Sequence, residues 1–178
     1  KVMTSAKSSY NESAGNSKRS AASLTYDNGP LSVSYAQSLF NGTDASDAAK
    51  VTLLAAGYTY NGIKFTAGQQ KTAFLGSWQA LANNLTVTGL GVGYTRGSWD
   101  YNLGYTVLKD DADSSYKTTQ TAATARYNLS KRTSVYVGYG HGKNDGASNK
   151  QNMVYSGPAL ATGNATNNVI LTGIRHQF

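Results

Sequence analysis

The sequence predicts an all-β fold: an antiparallel transmembrane β-barrel, about ten strands of which lie in this chain. Three observations predict it. Apolar and polar residues alternate with a period of two along most of the chain. Tight and long connections take turns between the alternating segments. The 178 residues include 19 Gly and 13 Tyr, with a hydrophobic fraction of 39%. No run approaches the ~20 apolar residues of a membrane-spanning helix. A barrel escapes that requirement because only alternate residues meet lipid.

The clearest segment is Trp99 to Leu108. Trp99, Tyr101, Leu103, Tyr105 and Val107 fall on one face, and Asp100, Asn102, Gly104 and Thr106 on the other. That is the pattern of a strand with one apolar face. A partial strand is expected near residues 1–8, and nine more between about residues 19 and 178. Among these, Leu31, Val33 and Tyr35 alternate with Ser32, Ser34 and Ala36. Ile63, Phe65 and Ala67 alternate with Lys64, Thr66 and Gly68. Leu90, Val92 and Tyr94 alternate with Gly91, Gly93 and Thr95. Ala123, Ala125 and Tyr127 alternate with Thr124, Arg126 and Asn128, and Val135, Val137 and Tyr139 with Tyr136, Gly138 and Gly140. Between Lys50 and Tyr60 the adjacent Leu53 and Leu54 leave the register open.

Asn28-Gly29, Asn61-Gly62 and Gly97-Ser98 are tight hairpin signals, and Leu129 to Arg132 is a slightly longer turn. The remaining connections are polar and longer: Leu39 to Ala49, Thr72 to Asn84, Lys109 to Tyr116, and Lys143 to Ala165. Short turns on one rim and long loops on the other characterise an outer-membrane barrel. With short turns periplasmic, the final segment at 167–178 runs toward the periplasm.

Composition excludes several function classes. There is no Cys, so disulfides, thiolate metal sites and cysteine nucleophiles are absent. The net charge is +7, but the Lys and Arg are dispersed, and only Lys18-Arg19 and Lys131-Arg132 are adjacent. Dispersed charge argues against nucleic-acid binding and fits a positive wall in an aqueous channel. His141 and His176 are far apart with no ligand-spaced partner, so no metal or cofactor is expected. Asp110-Asp111-Ala112-Asp113 reads as a solvated acidic loop, with a divalent cation as the competing reading. Gly89-Leu90-Gly91-Val92-Gly93 belongs to a strand and is not a nucleotide fingerprint. No nucleophile elbow or catalytic constellation appears, so the chain is not expected to be an enzyme.

Three stretches carry a family resemblance. They are Leu24-Thr25-Tyr26-Asp27-Asn28-Gly29-Pro30-Leu31-Ser32, then Tyr127-Asn128-Leu129-Ser130-Lys131-Arg132-Thr133-Ser134-Val135-Tyr136, and the ending Gly173-Ile174-Arg175-His176-Gln177-Phe178. In this order they resemble the general porins of the betaproteobacterial outer membrane. The resemblance implies a sixteen-stranded barrel of which residues 1–178 are the C-terminal part. It also implies further strands and a constriction loop upstream of Lys1, a homotrimer, and contact with outer-membrane lipid and lipopolysaccharide. The terminal Phe178 looks like the signal read by the barrel-insertion machinery. The implied function is passive diffusion of small ions and polar solutes.

Within that frame Lys64, Arg126 and Arg175 lie on the polar parity of their strands as a candidate positive wall. Asp100, Asn102 and Thr106 line the same face. A plainer reading has the cations hydrating the wall or pairing with acids such as Asp100. Trp99, Tyr101, Tyr127, Tyr139 and Phe178 are candidates for aromatic girdles at the lipid interface, or for ordinary sheet packing. The competing functional class is a barrel adhesin or anchor whose long loops, above all Lys143 to Ala165, bind a surface partner.

Overall fold

The computed structural model describes residues 2–7, 19–41, 47–76, 79, 83–113, 115–145 and 166–178. Ten strands follow one another: β1 (Val2–Lys7), β2 (Arg19–Asn28), β3 (Leu31–Asn41), β4 (Asp47–Tyr60), β5 (Ile63–Phe74), β6 (Leu85–Arg96), β7 (Trp99–Asp110), β8 (Lys117–Asn128), β9 (Thr133–Asp145) and β10 (Thr166–His176). Each pairs with the next in one ten-stranded sheet, and β1 and β10 form its two edges. Every described pairing is antiparallel, and the register shifts once, between Phe40 and Asn41.

The tight turns stand where the sequence placed them. At the β4–β5 hairpin Asn61 has φ 47° and Gly62 φ 79°. Two consecutive positive φ values make the turn whose twist matches the flanking strands, and Asn-Gly is the pair that adopts it most readily. Five of the eight strand limits facing the long connections lie further out than the polarity pattern suggested. β3 runs to Asn41, β4 starts at Asp47, β5 runs to Phe74, β7 to Asp110 and β9 to Asp145, while β6, β8 and β10 start where the connections were expected to end. Backbone pairing continues past the point where apolar alternation stops, because strands that rise beyond hydrocarbon need not be apolar on either face. Strand β10 returns to the short-turn rim, where Gln177 N–H donates to the Arg132 carbonyl at 2.9 Å.

Register assigns every strand residue to one of two faces. Leu54, Phe65, Leu90, Tyr94, Leu103, Ile170 and Ile174 share one face and are all exposed. Leu53 and Leu54 resolve to opposite faces, Leu53 opposite Gln70 and Leu54 opposite Gln69. Among the described residues only Ala48 and Leu108 are buried apolar side chains. A water-soluble domain needs an apolar core between two layers. A single layer with Ile170 at 72% and Ile174 at 68% exposure is stable only where hydrocarbon covers that face.

The opposite face holds all ten glycines that lie within strands: Gly57, Gly68, Gly89, Gly91, Gly93, Gly104, Gly138, Gly140, Gly142 and Gly173. Small residues confined to one side let the sheet curl toward that side. They also leave a hollow of about 720 Å³ that reaches from Ser32 on β3 to Thr124 on β8. Two-sidedness has a direct test on adjacent residues. Leu103→Arg on the apolar face is expected to cost about 2–4 kcal/mol in urea unfolding from lipid vesicles. Asn102→Arg on the polar face should cost less than about 1 kcal/mol. Equal costs would contradict the assignment of faces.

Candidate functional site: the polar face of the sheet

The six polar candidates all fall on the glycine-bearing face. Lys64 lies opposite Gly93 on β6 and Thr59 on β4. Its stem rests over Gly57, where an added Cβ would meet Lys64 Cε at 3.5 Å. Asn102 donates to Thr124 Oγ1 at 3.4 Å, and Thr106 pairs with Gln120. Arg175 lies opposite Ser134 at the short-turn rim. There Arg126, Lys131, Arg132 and Arg175 surround a small hollow of about 210 Å³.

Arg126 and Asp100 meet. They are direct cross-strand partners on β8 and β7, and the guanidinium grips one carboxylate oxygen through Nε at 3.0 Å and Nη2 at 2.7 Å. Asn128 Nδ2 donates to the same oxygen at 2.9 Å, and Thr95 Oγ1 donates to the other at 2.7 Å. Both N–H groups converge on one oxygen, so the contact is charge-assisted without being a fork-to-fork pair, and partial exposure limits what it adds to stability. Sequence reading singled out Asp100 and Arg126 but missed Asn128 and Thr95, which become neighbours only once register is known.

The pairing alters the electrostatics of the wall. Asp27 lies opposite Ser32 and Asp110 opposite Leu85, so both carboxylates share this face with Asp100. Asp27, Asp100 and Asp110 thus share this face with the candidate cations Lys64, Arg126 and Arg175, a wall of mixed sign among the residues whose side chains are described. Asp110 is buried and occupied: its carboxylate accepts from Asn83 Nδ2 at 3.1 Å and from the backbone N–H of Ala112 at 2.9 Å. The neighbouring acids also serve the β7–β8 connection. Thr86 Oγ1 donates to Asp111 at 2.7 Å, and both the hydroxyl and backbone N–H of Ser115 donate to Asp113. The Ser115 hydroxyl, then its backbone N–H, hold the Asp113 carboxyl below its usual range. These carboxylates shape a turn, and among the described residues no cluster fit for a metal ion occurs.

Sequence reading also missed Tyr136. It projects from the polar face of β9 onto Gly173 of β10, where an added Cβ would lie 2.5 Å from the phenol oxygen. An aromatic ring laid over a cross-strand glycine is a pairing that single-strand periodicity does not reveal.

The aromatic candidates lie on the other face. Trp99 stacks on Tyr101 with ring centres 5.7 Å apart and tilts against Tyr127 at 4.8 Å, all near the short-turn rim. Phe178 meets His176 edge-on at 4.8 Å at the same rim. Tyr139 differs: it stands in the middle of β9 and donates to Asn168 Oδ1 at 2.8 Å. Four of the five aromatic candidates therefore cluster at the short-turn rim. Beyond Asp145, the Lys143 to Ala165 loop lies outside the described residues.

The sequence profile of the Gram-negative porins matches residues 2–147. The chain belongs to the Gram-negative porin family. A search of curated proteins gives no match. Among solved structures, it is similar to the anion-selective porin from Comamonas acidovorans, with 25% identity and a TM-score of 0.72 over 90% of this chain and 49% of that one. A loop L8 deletion mutant of OmpT, an outer membrane protein of Vibrio cholerae, matches at 14% identity and a TM-score of 0.68 over 98% of this chain and 58% of that one. A porin refined at 1.8 Å matches at 16% identity and a TM-score of 0.66 over 99% and 57%. The chain thus spans about half the length of the structures it resembles. As a porin of this family it resides in the Gram-negative outer membrane, with its strands spanning the bilayer.

The Asp100–Arg126 pair predicts a pattern that a lone lumenal arginine would not give. Asp100→Asn should raise anion preference in salt-gradient reversal potentials, and Arg126→Gln should lower it. The double variant should return close to wild type. A double variant as shifted as Arg126→Gln would show that the two charges do not offset each other.

Proposed function

We propose that this chain forms one flank of a water-filled channel through which small hydrophilic solutes and ions diffuse down their gradients, with a modest preference for anions. The polar face carries this reading. Glycines, alanines and short polar side chains (Ser32, Ser34, Thr66, Asn102 and Thr124) line the hollow together with Lys64. Inward side chains this small do not fill a dry core, and the space between them is open to water. Membership of the porin family supports the same conclusion.

The anion preference rests on which charges are already engaged. Arg126 offsets Asp100, and Asp110 is buried among donors. Lys64 and Arg175 make no ion pair among the described residues. The anion selectivity named for the similar Comamonas acidovorans porin points the same way. Diffusion through such a pore involves no chemical step, no cofactor and no catalytic residue.

Among the described residues β1 and β10 are the edge strands of the sheet, each with backbone groups turned away from its one paired neighbour. Hydrocarbon offers no partner for them, so a spanning sheet must close. We propose that further strands complete the barrel, and that the narrowest part of the pore, a constriction loop, lies outside this chain. Assembly as a homotrimer and insertion through recognition of the β10 end at Phe178 belong to the same reading.

Single-channel recording from the native protein in a planar bilayer tests it. Stepwise conductance with an anion-biased reversal potential is expected, and closures in groups of three would accompany a trimer. Replacing Lys64, Arg126 and Arg175 together with Gln should move the reversal potential toward cations while conductance persists. An inserted but silent protein would exclude the channel and favour an anchor.

A further inference from the structure

Positive charge on the polar face is concentrated at one end. Lys64 is the second residue of β5, Arg126 the third from the end of β8, and Arg175 the second from the end of β10. All three strand ends lie at the short-turn rim. Among the described side chains the long-loop end of this face carries no Lys or Arg, and it holds the buried Asp110, Thr118 and Asn144.

At the short-turn rim the charge converges on the hollow of about 210 Å³ between β8, the β8–β9 turn and β10. Arg126 and Arg175 reach it from the two strands, and Lys131 and Arg132 from the turn. Ser130 and Ser134 add hydroxyls, and none of the lining residues is acidic. Lys131, Arg132 and Arg175 make no ion pair among the described residues. Arg126 holds Asp100 through Nε and Nη2, which leaves Nη1 uncommitted.

Hydrogen bonds hold these charges in place. Ser130 Oγ accepts from the backbone N–H groups of Arg132 at 3.1 Å and Thr133 at 3.0 Å. Ser130 N–H donates to the Thr133 carbonyl at 3.0 Å, and Gln177 N–H to the Arg132 carbonyl at 2.9 Å. The last bond ties the turn to β10, so one frame carries Arg132 and Arg175. Like charges repel, and a frame that gathers them around a hollow with no acid in its lining is completed by a counter-ion.

Size and donor geometry select that ion. The hollow is smaller than the ~300 Å³ at which pockets for drug-sized ligands begin, so it suits a small ion rather than a nucleotide. Guanidinium groups match the paired oxygens of a phosphate through two N–H donors at once. A carboxylate offers its oxygens in one plane, whereas these cations approach from β8, from the turn and from β10. A tetrahedral oxyanion has oxygens facing each of them.

The geometry points to a binding site for a dianionic tetrahedral oxyanion, of the class of phosphate, at the short-turn mouth of the channel. Arg126, Arg132 and Arg175 bind its oxygens, and Lys131 adds charge from the rim. The inference rests on this face being the wet one, as the channel reading has it. To the diffuse bias of the lumen it adds a saturable site at one mouth only. An anion entering from either side then dwells at the same end of the pore.

Isothermal titration calorimetry of the native full-length protein in detergent, with inorganic phosphate at constant ionic strength, tests the site. Wild type should bind phosphate saturably, sulfate should compete, and acetate should not. Arg132→Gln combined with Arg175→Gln should weaken phosphate binding at least about tenfold, while circular dichroism keeps the β-sheet signal. Lys131→Gln, in the exposed turn, is the milder variant and should weaken it about threefold. Lys64→Gln removes a charge of the same face three strands from β8, roughly 14 Å away at ~4.8 Å per strand. That exceeds the Debye length of ~8 Å in physiological salt, so its phosphate affinity should stay within about twofold of wild type. Undiminished binding by the double variant, or by Lys131→Gln should the double variant not fold, would overturn the proposal. So would an equal loss in Lys64→Gln, which marks a diffuse field, and equal competition by acetate, which removes the tetrahedral class. Conducting channels that bind no phosphate would overturn the site alone. Silent protein that binds phosphate with this dependence would refute the pore reading and leave the site standing.

Discussion

Hydrocarbon cannot satisfy a backbone N–H or C=O, and this constraint governs the molecule. Every described strand answers it by pairing with its sequence neighbour in continuous antiparallel register, interrupted once at Phe40/Asn41. Register then decides everything else, because side chains alternate with a period of two. A slip by one residue on β7 would carry Leu103 and Tyr105 to the wet side and Asp100 and Asn102 into lipid. Such a slip is opposed by the whole face at once, so pairing, solvent exposure and site geometry are a single choice.

The sorting of glycine follows from the same rule. In a soluble sheet a glycine weakens its strand and leaves a gap in the core. Here all ten strand glycines face away from lipid, where no core has to be filled. Their bareness has local uses. Gly57 gives the Lys64 stem a surface to lie on, and Gly173 leaves room for the Tyr136 ring. The cost of glycine in a strand is thus placed where it yields a hollow lined by backbone and short polar groups.

Much of this was legible in the sequence, for a physical reason. Period-two alternation, Asn-Gly turns and the terminal aromatic are local signals, and the strands and short turns they mark stand in place. What required pairing was not legible. The adjacent Leu53 and Leu54 fit either face until β5 fixed their partners. Asp100 and Arg126 lie 26 positions apart, and only the β7–β8 register brings them opposite each other. Thr95 and Asn128 join them by the same route. Five strand ends at the long connections run past the expected limits because pairing continues where the environment turns from lipid to water and the alternation loses its cause.

Charge was the least legible property, since its amount is printed in the sequence but its direction is not. A net charge of +7 on dispersed residues reads naturally as a positive channel wall. Register divides it otherwise. On the polar face Lys64, Arg126 and Arg175 are accompanied by Asp27, Asp100 and Asp110. On the apolar face Lys50, Lys71, Lys109, Lys117 and Lys143 lie toward the long-loop rim, where Asp111, Asp113 and Asp145 are the acids with described side chains beside them. Interspersed opposite charges inside a pore give a strong transverse field and a small net bias. A concentrated excess at the rim acts instead within about a Debye length, ~8 Å in physiological salt. That reach is too short to steer a solute across the lumen. On the proposed channel reading, the bias of the lumen rests on Lys64 and Arg175, which no carboxylate engages among the described residues.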